Sequence, residues 1–417
     1  MNTAATVALQ APAGFGSRLR PRRAQLGVVW TAAALLAAEA LWLAPRYGFR
    51  HAALFLVGVG CGLVLYHAAF GFTEAFRAFV TTGDGRGLRA QMLMLAVATV
   101  LFAPLLSAGE VLGTSVGGAV APAGVSVLIG AFIFAIGMQV GGGCGSGTLF
   151  HLGSGATPMA LTLAGFIAGA VIATFHMTFW SAAPSLGEVS LAETLGWPAA
   201  VAVQLAALVL IAATTWVIER RLHRGRQVPP APPRGWSRLL HGPWPLAAGA
   251  VGLAALNALT LVLAGHPWGI TWAFALWGAK VLRLAGYDLS AVPFWSGDFQ
   301  QAALAAPVLS DVTSVMDLGI VLGACLAAGL AGRFRPARRL RLRIVTAALT
   351  GGLLLGYGSR IAFGCNIGAY FSGIASTSLH GWFWGAAALL GTPVGVFLRR
   401  LFGVGEDRTT RGTEEQS

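Results

Sequence analysis

The sequence predicts an all-α polytopic membrane protein of two pseudo-symmetric, inverted halves, with short re-entrant or broken helices among its spans. Three observations predict it: apolar runs of membrane-crossing length, an internal repeat, and opposite loop charge in the two copies of that repeat.

Of 417 residues, 56% are hydrophobic and 10% charged, and the mean hydropathy is +0.71, which leaves too little polar surface for a soluble domain of this size. Apolar runs recur at 24–44, 52–72, 90–107, 122–143, 157–182, 198–219, 243–265, 269–286, 308–331, 343–363 and 379–402. Most approach the roughly 20 residues that cross a hydrocarbon core. The first run is too long for a signal-peptide core and lacks a clear cleavage site, so it reads as the first membrane segment. The formal charge is +13, but the arginines cluster in short segments between apolar runs, which is an orientation signal and not a nucleic-acid-binding face.

The expected organisation is a basic N-terminal segment 1–23, a first membrane half with a connecting span at 24–219, a linker at 220–242, a second half at 243–403 and a charged tail at 404–417. The linker contains VPPAPPRG and a concentration of arginines; proline removes helical donors and the basic residues favour the cytoplasm. The tail is expected to be disordered and cytoplasmic.

A shift of 221 positions lays Gly137, Gln139, Gly143, Cys144 and Gly147 over Gly358, Arg360, Gly364, Cys365 and Gly368, with the flanking apolar segments in the same order. Segment 107–121 has one acid and no base, whereas its counterpart 328–342 carries Arg333, Arg335, Arg338, Arg339 and Arg341. The arginines of 77–89 are likewise opposed to 298–310, which has an aspartate and no base. Inverted repeats explain both oppositions. A cytoplasmic N-terminus, linker and C-terminus cannot be reconciled with every run spanning. The run 269–286, with Lys280 and Arg283, and its counterpart around Cys61 are therefore expected to be broken or re-entrant, leaving about eight to ten spans.

The four cysteines lie in apolar or glycine-rich sequence, without disulfide-framework or zinc spacing. Three have unusual settings: GVGCG at Cys61, GMQVGGGCGSGT at Cys144 and GSRIAFGCNIGAYFSG at Cys365. Glycines around Cys144, including Gly143, Gly145 and Gly147, strip side chains from a whole turn and let a ligand lie against the main chain. Amide donors of an unwound half-helix can hold an anion, and a thiol is a soft donor suited to sulfur. The plainer reading is tight helix packing with cysteine as a small hydrophobe. That reading suits Cys325, whose counterpart is Pro104, but weakens for Cys144 and Cys365 at equivalent positions.

Arg360, five residues before Cys365 and matched by Gln139, can attract an anion or pair elsewhere. Lys280 and Arg283 share a helical face, open to a vestibule or to snorkelling, and Glu39 has no sequence-local partner. His67, His151 and His176 lack metal-binding spacing; no metal or cofactor is expected. GGGCGSGT lacks the ending of a P-loop, and no serine-hydrolase elbow is present.

With GVGCGLVLYHAAFGF, FGFTEAFRAFVTTGDGRGLRAQMLML, GMQVGGGCGSGT and GYGSRIAFGCNIGAYFSG, the chain resembles the YeeE/YedE family of sulfur or thiosulfate membrane transporters over most of 50–403. The resemblance implies a bundle of spanning and short inserted helices pinched between two shallow indentations. It implies thiosulfate passing along Cys61, Cys144 and Cys365 by transient thiol contacts, without a covalent intermediate. The neighbouring Gly364, Asn366 and Gly368 join Gly143, Gly145, Gly147, Gln139 and Arg360 as candidate binding residues. The usual first-cysteine context is basic and aromatic, whereas here it reads GVGCGLVLYH. A bacterial inner-membrane location and a small sulfur-carrier or rhodanese-like partner are also implied. A selenium or other sulfur-species permease, or a sulfurtransferase with a persulfidated cysteine, remain alternatives.

Overall fold

The computed structural model describes residues 23–222, 240–337 and 339–403. The expected N-terminal segment, the body of the linker and the tail lie outside these residues. Thirteen labelled helices carry the fold. The first half comprises α1 (Leu26–Tyr47), α2 (Phe49–His67), α3 (Phe72–Thr82), α4 (Arg86–Ala108), α5 (Val125–Gly141), α6 (Gly145–Gly153) and α7 (Pro158–Phe175). A connecting helix, α8 (Trp197–Leu222), leads to the second half: α9 (Leu246–Ala264), α10 (Thr271–Leu284), α11 (Val312–Leu330), α12 (Leu342–Ile361) and α13 (Leu379–Leu401). Between α12 and α13, a wide helical turn Asn366–Phe371 runs into Ser372–Ala375. Among the described residues, ten helical stretches are long and apolar enough to cross a membrane. The protein is therefore an all-α polytopic membrane protein, as its apolar runs predict.

Local sequence explains the helix ends. Pro158 opens α7, where its missing N–H costs nothing. Asp311 caps α11 by accepting from the Ser314 amide at 2.8 Å. Gly109 ends α4 with φ 71°, a conformation that favours glycine. Short strands, which the sequence reading did not foresee, pair β1 (Glu110–Val111) with β2 (Thr114–Ser115) and β3 (Pro122–Gly124) with β4 (Ser185–Glu188). They satisfy backbone groups in the loops between helices.

The inter-helix connections sort into two ends. At the arginine-rich end, Gln25 donates to Phe334 O at 3.1 Å, Trp244 N to His67 O at 2.7 Å, and Thr157 Oγ1 to Ala337 O at 3.1 Å. Arg89 pairs with Glu219 at 2.6 Å there, and Arg86 beside Asp84 holds that carboxyl below the usual carboxylate range. At the other end, Arg50 reaches Thr114, Gly117 N donates to Gly265 O at 2.8 Å, Ala119 N to Ser376 Oγ at 2.9 Å, and Leu191 N to Thr377 O at 2.8 Å.

The repeat is visible in element order: α1 to α7 correspond at a shift of 221 to α9, α10, Asp298–Ala305, α11, α12, the Asn366–Ala375 turns and α13. The counterparts α5 and α12 cross at their glycines. A Cβ on Gly137 would lie 2.8 Å from Gly351 O, and one on Gly358 would lie 2.6 Å from Gly130 O. These are the same contact with the halves exchanged, since Gly137 corresponds to Gly358 and Gly130 to Gly351.

Two expectations need correction. The segment around Cys61 is neither broken nor re-entrant; it is the continuous helix α2, packed on α11 where Gly319 would set a Cβ 2.5 Å from Phe55 O. Only its counterpart α10 is short, at 14 residues, and it packs on α7. Lys280 does not line a vestibule: its Nζ donates to Ala303 O, Leu304 O and Ala306 O at 2.8, 2.9 and 2.5 Å, closing the C-terminal turn of Asp298–Ala305. An ammonium there meets the negative end of that helix.

Gly358→Val should lower stability by about 1–3 kcal/mol or more, because a branched side chain meets backbone that cannot retreat. Gly27→Ala, at a position with open space around it, should leave stability unchanged. Thermal unfolding of detergent-purified protein followed by size-exclusion fluorescence checks both.

Candidate functional site

The site is built from two chain turns at equivalent repeat positions. After α5 the backbone takes a left-handed step at Gly142, φ 84°, and Cys144 then caps α6 in an extended conformation. Its Sγ accepts from Gly147 N at 3.4 Å and lies 3.5 Å from Ser146 Oγ, while Thr148 Oγ1 donates to Cys144 O at 2.8 Å. After α12, Phe363 at φ 56° makes the corresponding left-handed step, Gly364 follows at φ 151°, and Cys365 caps the following turn with Sγ accepting from Ile367 N at 3.4 Å. Trp384 Nε1 pins that step by donating to Gly364 O at 3.1 Å. Both thiols thus stand at the amide-bearing, positive end of a helical segment.

The fold brings these two turns together. A Cβ on Gly145 would sit 3.0 Å from Cys365 Sγ and 3.6 Å from Ile270 Cγ2, so position 145 has no room for a side chain like that of its counterpart Asn366. Gly368 faces Gly269, whose Cα lies 4.0 Å from the Cβ position. The connection between α9 and α10 therefore closes over the cysteine pair. Trp268 fixes this connection, its N–H donating to Asn257 Oδ1 at 2.8 Å and its carbonyl accepting from Ser372 Oγ at 2.8 Å. Gly143 and Gly364 need their bare backbone: a Cβ would lie 3.1 Å from Thr148 N and 2.6 Å from Ala369 N, respectively.

A small, partly open pocket leads to Cys144. Its lining joins Gly142, Gly143, Cys144 and Gly147 to Thr73, Arg77 and His151 among others. Arg77 is ion-paired with Glu74 in its floor, and Arg399, whose Nη1 donates to Gln139 O at 3.1 Å, lies within electrostatic reach of Arg77. Gln139 Nε2 donates to Thr73 O at 3.2 Å. The exchanged contact on the other half is Arg360 over the Phe294 ring, 5.2 Å from its centroid. Arg360 Nε and Nη1 are enclosed with no hydrogen-bond partner among the described residues, as are both amide atoms of Asn366. Orphaned buried donors of this kind are costly unless something occupies them.

Cys61 stands apart: it is fully buried within α2, and its thiol makes no side-chain hydrogen bond among the described residues. Cys325 is a half-buried free thiol on α11. Among the described residues, no group of His, Cys, Asp and Glu could hold a metal. Sequence reasoning missed Thr73, Arg77 and His151 as cavity residues, having counted Arg77 only as loop charge. The available signal was α3 itself, a short amphipathic helix too polar to span, which joins Cys144 in the pocket lining.

Comparison with known proteins places these turns in context. Residues 67–394 match the family described as "Sulphur transport". Relatives include the "Thiosulfate transporter TsuA" of Spirochaeta thermophila, 25% identical across 81% of this chain and 95% of that protein. TsuA of Escherichia coli is 28% identical across 78% of this chain and 87% of its own length. The "Probable transporter YedE" of Salmonella typhimurium is 33% identical, but over only 36% of each chain.

An anionic methanethiosulfonate added to the purified protein should modify Cys144 before Cys365 or Cys61, since of these only Cys144 lines the partly open pocket. Arg77→Gln should slow that reaction up to about tenfold while leaving a cationic reagent unaffected or faster. Intact-mass spectrometry over time reads both rates.

Proposed function

This chain belongs to the sulphur transport family, and we propose that it moves thiosulfate or a closely related sulfur-containing anion across the membrane past Cys144 and Cys365. The observation that carries this reading is the meeting of two helix-capping thiols from equivalent repeat positions beside an arginine-lined cavity. A doubly charged anion is too costly to strip of water unaided, so each station must substitute donors for water yet release its guest. Backbone amides of α6 and of the Asn366 turn supply fixed partial charge. The thiols supply soft contacts to a terminal sulfur, without a covalent bond being made. The free amide of Asn366 and the enclosed guanidinium of Arg360 are donors awaiting such a guest. Cys61, buried in α2 and close in sequence to the α3 turn, acts as a further station. The relatives named for thiosulfate favour that substrate over selenium species.

The same reading takes the halves as inverted and the arginine-rich end as cytoplasmic, with the 220–242 linker and the tail on that side. In support, α4 runs from the end marked by Arg89–Glu219 to the end marked by Gly117–Gly265, and its counterpart α11 runs from Asp311 back to Gly329, beside Gln25. Short loops rich in arginine stay inside. A small sulfur-carrier or rhodanese-like protein would receive the anion there.

In proteoliposomes loaded by radiolabelled thiosulfate, Cys144→Ser and Cys365→Ser should each lose most uptake while remaining folded, because serine donates a hydrogen bond but lacks the polarizable sulfur. Cys61→Ser should be impaired, and Cys325→Ser should match wild type. Normal transport by both of the first two variants would remove the thiols from the mechanism. Arg360→Gln, copying Gln139, should raise KM more than it lowers kcat, and unchanged kinetics would assign Arg360 to packing.

Reporter fusions should place residues 220–242, 333–343 and the C-terminus on one cytoplasmic side. Finding 220–242 and 333–343 on opposite sides would overturn the topology.

A further inference from the structure

Asp317 is a carboxylate in the middle of the bundle that the transport path just described does not use. It sits six residues into α11, is fully buried, and neither side-chain oxygen has a hydrogen-bond partner among the described residues. Most buried acids in membranes are paired, because an unpaired charge at such depth is heavily penalised. Its counterpart in the first half is Ala96, so no symmetry of the fold requires an acid here.

Its surroundings link it to the outer end of α11 and to the helix that Cys144 caps. Asp311 marks the outer end of α11, at the end of the bundle opposite the arginine-rich loops, where its Oδ1 accepts from Trp272 Nε1 at 3.0 Å. Ser314 follows one turn deeper, accepting from Trp277 Nε1 at 2.8 Å, and Asp317 one turn deeper again. Polar groups thus recur every three residues along neighbouring positions of one helix side, reaching about 9 Å inward at 1.5 Å per residue. α11 also packs along α6, the helix that Cys144 caps: a Cβ on Gly153 would meet Val321 O, about one turn beyond Asp317. The elements packed on α11 also carry Cys61 and His51 on α2, Glu39 on α1, His151 on α6, and Lys280 and Arg283 on α10. Of these, His51 is engaged with Leu309 O at 2.8 Å and Lys280 with three carbonyls. Among the described residues, no salt bridge includes Asp317.

We propose that Asp317 is a proton-coupling residue: it must carry a proton while the anion occupies the cysteine stations, so that anion and H⁺ cross together. The inference rests on the anion-transport reading above. An ionised Asp317 beside a sulfur dianion would be strongly repulsive, so the anion binds the protonated form and, reciprocally, holds the proton there. The proton enters from water by way of Asp311 and Ser314. It is released on the side where the anion leaves, once the repulsion that held it is gone. Cotransport of positive charge would also offset the work of bringing a dianion into an inside-negative cell.

Proteoliposomes containing a pH dye and wild-type protein, with the membrane potential clamped at zero, should accumulate radiolabelled thiosulfate down an inward proton gradient, with measurable acidification of the lumen. Asp317→Asn, which keeps the shape without the titrating proton, should lose gradient-driven uptake and proton movement by about tenfold or more, while thiosulfate exchange at equal pH stays near wild type. Wild-type uptake indifferent to the gradient, or an Asp317→Asn variant that still moves protons with the anion, would overturn the proposal. A folded Asp317→Asn variant that also loses exchange would assign Asp317 to binding and overturn it as well. If Asp317→Asn does not fold, Asp317→Glu decides: coupling predicts retained acidification with a displaced pH profile, and an unchanged profile contradicts it. Absence of exchange by the wild type would instead overturn the transport reading on which the inference stands.

Discussion

The close crossing of α5 and α12 is the contact on which the site depends. Backbone meets backbone at Gly130, Gly137, Gly351 and Gly358, because no side chain intervenes. In lipid, where apolar burial gives helices little reason to associate, such close approach is what holds them together. Each helix ends immediately beyond the crossing in a cysteine-bearing turn, so the approach of the helices also sets the approach of Cys144 to Cys365. Larger side chains at the crossing would separate the turns as well as the helices.

Interrupting two membrane helices exposes amide and carbonyl groups that lipid cannot satisfy. The structure resolves this by burying both turns in protein. Cys144 and Cys365 accept from the following turn's amides, Trp384 holds Gly364 O, and Ser372, Asn257 and Trp268 join the second turn to the α9–α10 connection. Among the buried groups left without a partner among the described residues, Asn366, Arg360 Nε and Nη1, Trp268 Nε1 and Asp317 retain hydrogen-bonding capacity in the interior. Residual capacity of this kind is what a hydrated anion needs in exchange for its water.

The two halves are similar in order but not in detail. The first half presents Arg77, Glu74 and His151 to a partly open pocket, whereas the second sets Arg360 against Phe294 with its Nε and Nη1 enclosed. Counterpart helices α2 and α10 differ most, one a full span packed along α11 and the other short and packed on α7. A carrier must treat its two faces differently at any moment, and this divergence of the repeats provides a structural basis for that difference.

Membrane residence, the order of the spans, the repeat and the equivalence of Cys144 with Cys365 were all legible in the sequence, because they rest on hydropathy and on spacing, which are local properties of the chain. The glycines around those cysteines were legible too, as positions where backbone must turn or approach. Three things were decided only by tertiary structure. The continuity of α2 depends on its packing against α11, to which composition around Cys61 gives no clue. The task of Lys280 depends on carbonyls more than twenty residues away. The placing of Arg77 in the pocket lining with Cys144, and of Asp317 on a helix packed along α6, joins residues from helices distant in the chain, and only the packed bundle determines which side chains share that interior.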